Sequence, residues 1–243
     1  MPTVLDIPPA RRGLLNFVLF NTPVQVQPWF WVMALILGYS QDFRATLIWM
    51  AVVFVSVLVH ELGHVAAFRV FKVPSAILLY TWGGLTIPRH EARGMAARII
   101  IAVAGPLAGF CFAAAVIFAA MNGGIQIVAQ FHGWLPEIQP AVSRSSFLSN
   151  PYAFVLLDDL LFVNIFWGLM NLLPIAPLDG SHVTRAIFQA VSPAGWRKPW
   201  LLVSAFTALA IAALGFYSRN LYLGIMFLLL GISSLQMLDS RGS

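Results

Sequence analysis

Apolar residues run along this chain in long blocks, and most of the charge falls in the breaks between blocks. A block of roughly 20 apolar residues is what a helix needs to cross a bilayer. The pattern predicts a first span over 28–39, short in apolar content, a second over 44–71, a third over 94–121 and a fourth over 152–173. Two more follow over 199–217 and 221–237. Residues 22–27 instead alternate polar and apolar positions, the period of a strand. Residues 75–88 are rich in β-branched and aromatic side chains, are interrupted at Gly83 and Gly84 and stop at Pro88. That combination predicts a short strand or hairpin at the membrane face. The opening ten residues read as a loose tail, 122–150 as a loop containing Pro136 and Pro140, and 181–191 as a short amphipathic helix in the interface.

Composition narrows the class. Of 243 residues, 60% are hydrophobic and 9% charged, whereas a soluble domain carries about 25% charge. The expected fold is an all-α polytopic membrane protein of about six transmembrane helices, with a small membrane-associated β-sheet near the cytoplasmic face. One membrane-embedded domain accounts for residues 1–243: a tail and strand over 1–27, a catalytic core over about 28–191 and C-terminal spans over 199–237. No repeat, soluble linker domain or cleavable signal peptide is visible. The net charge of +5 does not point to nucleic acid, because the basic residues lie between the apolar blocks, where they set topology. Six spans place both termini on one side. Arg11, Arg12, Arg69, Lys72, Arg89, Arg93, Arg98, Arg185, Arg197, Lys198 and Arg241 fall on that side, against Arg44, Arg144 and Arg219 on the other. The positive-inside rule then puts both termini in the cytoplasm, with the plasma membrane of a prokaryote as the expected location. The single cysteine, Cys111, excludes an intrachain disulfide and is expected in the core.

The chemistry lies where polar residues interrupt an apolar block. His60-Glu61-Leu62-Gly63-His64 falls inside the second predicted span, where ionisable groups are costly and tend to mark function. On a helix, His60 and His64 project from one face a turn apart and can share one zinc ion, while Glu61 points to a neighbouring direction and serves as general base. A catalytic zinc takes a third protein ligand and keeps an open position. Asp179 is the carboxylate predicted on the same side as the histidines, in a segment broken by Pro174 and Pro177. His60, His64 and Asp179 are therefore the expected ligands of one Zn2+. Asn171, three residues before Pro174, either donates to substrate or satisfies carbonyls freed by the proline. A metal-ion transporter or sensor using the same three ligands is the competing reading, and Glu61 argues against it, because transport needs no non-ligand carboxylate beside the metal.

The stretch His60–His64, together with Asn171-Leu-Leu-Pro-Ile-Ala-Pro-Leu-Asp-Gly180, resembles the site-2 protease family of intramembrane zinc metalloproteases. Asn164, the element Ala104–Gly109, Gln25–Pro28 and the Gly83–Gly84 strand are similar as well, so the likeness covers about 16–191. It implies that Asp179 is the third ligand, and that Asn171, Asn164, Gly83 and Gly84 serve substrate or oxyanion binding. The partners it implies are the lipid bilayer and a membrane-anchored substrate, single-span and regulatory by analogy, with no nucleic acid. Many members carry an asparagine where this chain has Gly109. No PDZ-like insertion or CBS pair is visible, so this chain resembles a minimal form.

Overall fold

The structure is a computed structural model that describes residues 15–38, 40, 42–132, 135–140 and 150–239. The N-terminal tail, Arg11, Arg12, Arg144 and Arg241 of the charge count lie outside the described residues. Two compact units divide the chain, one of Met1–Glu91 with Ala104–Gly168 and the other of Ala92–Val103 with Leu169–Ser243.

The first unit begins with strand β1 (Leu15–Leu19), which pairs antiparallel with β2 (Thr22–Val26). Phe20 and Asn21 both take left-handed backbone at the turn, the geometry a two-residue hairpin needs. Helix α1 (Pro28–Leu37) follows, with proline in its first turn. Its 10 residues rise about 15 Å, half of a hydrocarbon core of about 30 Å. Helix α2 (Phe43–Val70) is capped by the Asp42 side chain, which accepts from the Arg44 amide at 2.9 Å. It ends where Lys72 takes left-handed backbone and the Val73 amide donates to Phe68 O at 2.9 Å. That reversal sends the chain straight into the antiparallel hairpin of β3 (Ser75–Tyr80) and β4 (Gly83–Pro88).

The expected strand and hairpin thus join in one mixed sheet, ordered β1-β2-β3-β4, with β2 and β3 parallel. Val24 and Val26 of β2 and Ile77 and Leu79 of β3 turn one face inward, onto Leu58, Leu62 and Val65 of α2. These helix positions recur at intervals of three and four residues, so a single stripe of α2 takes the sheet.

Helix α3 (Met95–Asn122) runs through a buried Pro106, and helix α4 spans Pro151–Asn171 with a π-helical stretch at Phe162–Trp167. The segment between them is not all loop. Strands β5 (Ile127–His132) and β6 (Leu135–Pro140) pair as a hairpin. Pro136 and Pro140 conceal it in the sequence, yet a two-stranded ribbon has open edges on which a missing amide donor is tolerated.

The second unit holds helices α5 (Asp179–Val191), α6 (Arg197–Tyr217) and α7 (Leu221–Asp239). Helices α6 and α7 meet at backbone distance: a Cβ on Gly215 would lie 2.6 Å from the Gly224 amide nitrogen. Small residues at such seams are how membrane helices approach closely. Among the described residues, five helices are long and apolar enough to cross a membrane: α2, α3, α4, α6 and α7. The first of the six expected spans is the short α1.

Candidate metal centre

The last three turns of α2 carry the polar residues. The Nε2 atoms of His60 and His64 lie 3.2 Å apart, with ring planes at 77°. Two imidazoles bound tetrahedrally at about 2.0–2.1 Å would hold their nitrogens about 3.4 Å apart. The pair is therefore set at the separation that a shared ion requires. Glu61 is only 4% exposed and His64 is also buried.

Two glycines let neighbouring backbone close around this pair. A Cβ on Gly63 would fall 2.4 Å from Ala104 O, so α3 touches α2 beside the histidines. A Cβ on Gly105 would lie 2.3 Å from His64 Nε2 and 2.7 Å from His60 Nε2. The absent side chain at Gly105 is thus the space in which the two nitrogens converge.

Strand β4 supplies the surroundings of Glu61. Alternate residues of a strand share a face, and Gly84 and Thr86 both turn to this carboxylate. The Thr86 hydroxyl lies 2.6 Å from Glu61 Oε2 and 3.2 Å from the Glu61 carbonyl oxygen. It has one proton, and the shorter contact to the charged acceptor takes it. A Cβ on Gly84 would lie 2.3 Å from Oε1, so glycine leaves that oxygen its room. Burial, and secondarily the charge of Glu61, push the Tyr80 phenol on β3 above its ordinary value. It is therefore a neutral group throughout the physiological range.

Asp179 occupies the first turn of α5. His60, His64 and Asp179 each offer one ligand atom, and these atoms all lie within 4.8 Å of one another. Two imidazoles and a carboxylate are a donor set suited to zinc, and the cradle at Gly105 matches it.

The remaining expected site residues are placed differently. Asn164 is buried in the π-helical stretch, and both hydrogens of its amide have partners: Ser56 Oγ on α2 at 2.8 Å and Leu160 O at 2.8 Å. It ties α4 to α2 one turn before His60, and those two bonds leave no amide hydrogen for a substrate. Asn171 is the last residue of α4. Gly83 has φ +127 with open space around it and serves the β3–β4 turn. Cys111, expected in the core, is exposed. Thr86 and Gly105 join the site only through tertiary packing; in the sequence the sole pointers are that Thr86 lies two residues beyond Gly84 on a strand and that Gly105 belongs to the element Ala104–Gly109.

These features define an integral membrane protein with a histidine-glutamate-histidine helix and a candidate metal group of His60, His64 and Asp179. The chain belongs to peptidase family M50, whose sequence profile matches residues 48–213. It is 28% identical over 220 residues to the inferred zinc metalloprotease sll0528 of Synechocystis sp., covering 81% of this chain and 51% of that protein. It is 24% identical over 172 residues to stage IV sporulation protein FB of Bacillus subtilis, covering 70% and 49%. The chain thus spans about half the length of these curated relatives. Its fold is similar to that of the site-2 protease from Methanocaldococcus jannaschii, with a TM-score of 0.58 at 21% identity over 91% of this chain and 94% of that one.

Proposed function

We propose that this protein is an intramembrane zinc endopeptidase that hydrolyses peptide bonds in or near transmembrane segments of membrane-anchored proteins. The observation that carries this reading is the setting of Glu61. It is a buried carboxylate beside paired histidines, outside the ligand group, with Thr86 on Oε2 and the bare Gly84 facing Oε1. A metal transporter or sensor has no use for such a base.

One zinc ion held by His60, His64 and Asp179 would supply Lewis acidity, lowering the pKa of water and polarising a peptide carbonyl. Glu61 accepts a proton at Oε1 from the attacking water, while Thr86 keeps Oε2 occupied and the carboxylate in one orientation. The protonated Glu61 then returns that proton to the departing amine. Asn171 is the amide proposed for the oxyanion or the substrate backbone. Gly83 and Gly84 open the edge strand β4, on which an unwound substrate segment would add by main-chain hydrogen bonds. A membrane helix has its own backbone satisfied, so unwinding must come first. The bias of basic residues supports cytoplasmic termini, the bacterial relatives support a prokaryotic plasma membrane, and the family resemblance supports a single-span regulatory protein as substrate.

The test is Glu61→Gln in purified protein reconstituted in vesicles. Zinc content should equal wild type while cleavage of a membrane substrate is abolished. Cleavage that persists in the variant would overturn the reading, and zinc flux across the vesicle that survives without any cleavage by wild type would favour the transporter. Comparing membrane proteomes of cells carrying the wild type or the variant would identify substrates, as proteins that accumulate uncut only with the variant.

A further inference from the structure

We propose that Trp200 and Ser204 of α6 are positioning residues that hold the segment carrying Asp179 from both sides. The proposal rests on the reading of Asp179 as a metal ligand.

Local sequence does little to fix this carboxylate. Leu178, at the N-cap of α5, provides no side-chain hydrogen bond to the first turn. In Pro174–Leu178 only three residues have an amide hydrogen, because Pro174 and Pro177 have none. Two of those hydrogens stay within the local chain: the Ile175 amide donates to Leu173 O at 2.7 Å and the Leu178 amide to Ile175 O at 2.7 Å. The third reaches another element. The Ala176 amide donates to Ser204 Oγ at 2.8 Å, where Ser204 is 0% exposed.

Behind that bond the Ser204 and Ser234 hydroxyls lie 2.8 Å apart, with the Ser234 hydroxyl, on α7, also 3.0 Å from Leu230 O. A hydroxyl has one hydrogen and two lone pairs, so Ser204 Oγ accepts from the Ala176 amide whichever of the two hydroxyls donates to the other. Ser234 lies beyond residue 213, where the family match ends, so a helix outside the matched region backs this anchor.

The other side of Asp179 is held from the same face of α6. Trp200 lies one turn before Ser204, and its indole Nε1 donates to the carbonyl oxygen and to the hydroxyl oxygen of Ser181, each at 3.0 Å. The two grips fall three residues before and two residues after Asp179. Between them there is little slack: a Cβ on Gly180 would lie 2.0 Å from Leu172 O.

The experiment measures zinc affinity of the full chain in detergent by chelator competition, together with the absorption spectrum of the cobalt-substituted protein. Ser204→Ala and Trp200→Phe should each weaken zinc binding about 10- to 100-fold and alter the cobalt bands. Ser234→Ala should weaken it less, and Ser233→Ala, an exposed neighbour on α7, not at all. Asp179→Asn is the reference. If Asp179→Asn weakens binding while Ser204→Ala and Trp200→Phe bind zinc with wild-type affinity and spectrum, the positioning proposal falls and the ligand assignment stands. If Asp179→Asn itself binds like wild type, the ligand assignment falls and takes the proposal with it. A drop in melting temperature alone, with affinity and spectrum unchanged, also overturns it. Should Ser204→Ala not fold, Trp200→Phe decides the question by the same measurements.

Discussion

Replacing Gly105 by alanine tests whether the space on α3 belongs to the metal centre. The new Cβ would sit 2.3 Å from His64 Nε2 and 2.7 Å from His60 Nε2. An ordinary carbon–nitrogen contact is about 3.4 Å or more, so something must move by about 1 Å. Zinc–ligand distances tolerate about 0.2 Å, and a ring displaced by several times that is no longer a ligand. Retreat of α3 is the alternative, but its backbone touches α2 at Gly63, and a gap of that size forfeits a quarter to a half of each contact's dispersion energy. Zinc affinity should therefore fall at least 100-fold, about 2.8 kcal/mol. The internal control lies one turn along the same helix. A Cβ on Gly109 would meet Asn164 O at 3.5 Å and Asn164 Oδ1 at 3.6 Å, ordinary contact distances. Both changes raise helix propensity by the same amount, up to about 1 kcal/mol. Gly109→Ala should keep zinc and melt no lower than wild type, whereas Gly105→Ala should lose zinc while remaining helical. Metal content per chain by mass spectrometry, chelator competition and circular dichroism read this directly. A Gly105→Ala protein with full zinc content and wild-type affinity would refute the cradle.

Three further outcomes follow from the same geometry. Thr86→Val removes a hydrogen bond to a charged oxygen, worth about 1.5–3 kcal/mol, so single-turnover cleavage should slow roughly 10- to 150-fold with zinc content unchanged; an unaltered rate would remove Thr86 from the positioning of Glu61. Gly84→Ala places a Cβ 2.3 Å from Glu61 Oε1 and should abolish cleavage with zinc retained, whereas loss of zinc would show that the disturbance reaches His60. Asn164→Ala breaks the buried bond to Ser56 and should lower stability by about 1–3 kcal/mol, with the folded fraction keeping its specific activity; a raised KM without a lower melting temperature would return Asn164 to substrate binding.

The long apolar blocks were legible because membrane helices need little beyond length and apolarity, and α2, α3, α4, α6 and α7 begin and end close to where the sequence puts them. The first block is shorter than a span for a physical reason: Thr22–Val26 is the strand its alternation predicts, which leaves α1 ten residues. The β5–β6 hairpin was hidden by its prolines. The histidine pair with Glu61 was legible because polar groups at regular spacing stand out in an apolar helix. Thr86 and Gly105 were not, since their roles depend on which backbone approaches which side chain, and one-dimensional spacing carries no such information. Asn164 was visible as a residue but not as a role: the two acceptors that engage its amide are brought to it only by tertiary packing.

The parallel pairing of β2 with β3 has a consequence for biogenesis. Each half of the sheet is a local hairpin, β1–β2 and β3–β4, and isolated hairpins close within microseconds. The join between them, at Val24–Val26 against Ile77–Leu79, spans the whole of α1 and α2. The two hairpins can zip together only once that pair of helices has folded back on itself, so the strand beside Glu61 gains its full sheet late. During synthesis Glu61 thus exists on its helix before the sheet that seats it is complete, and the nascent chain carries the parts of the centre before it carries the assembled one.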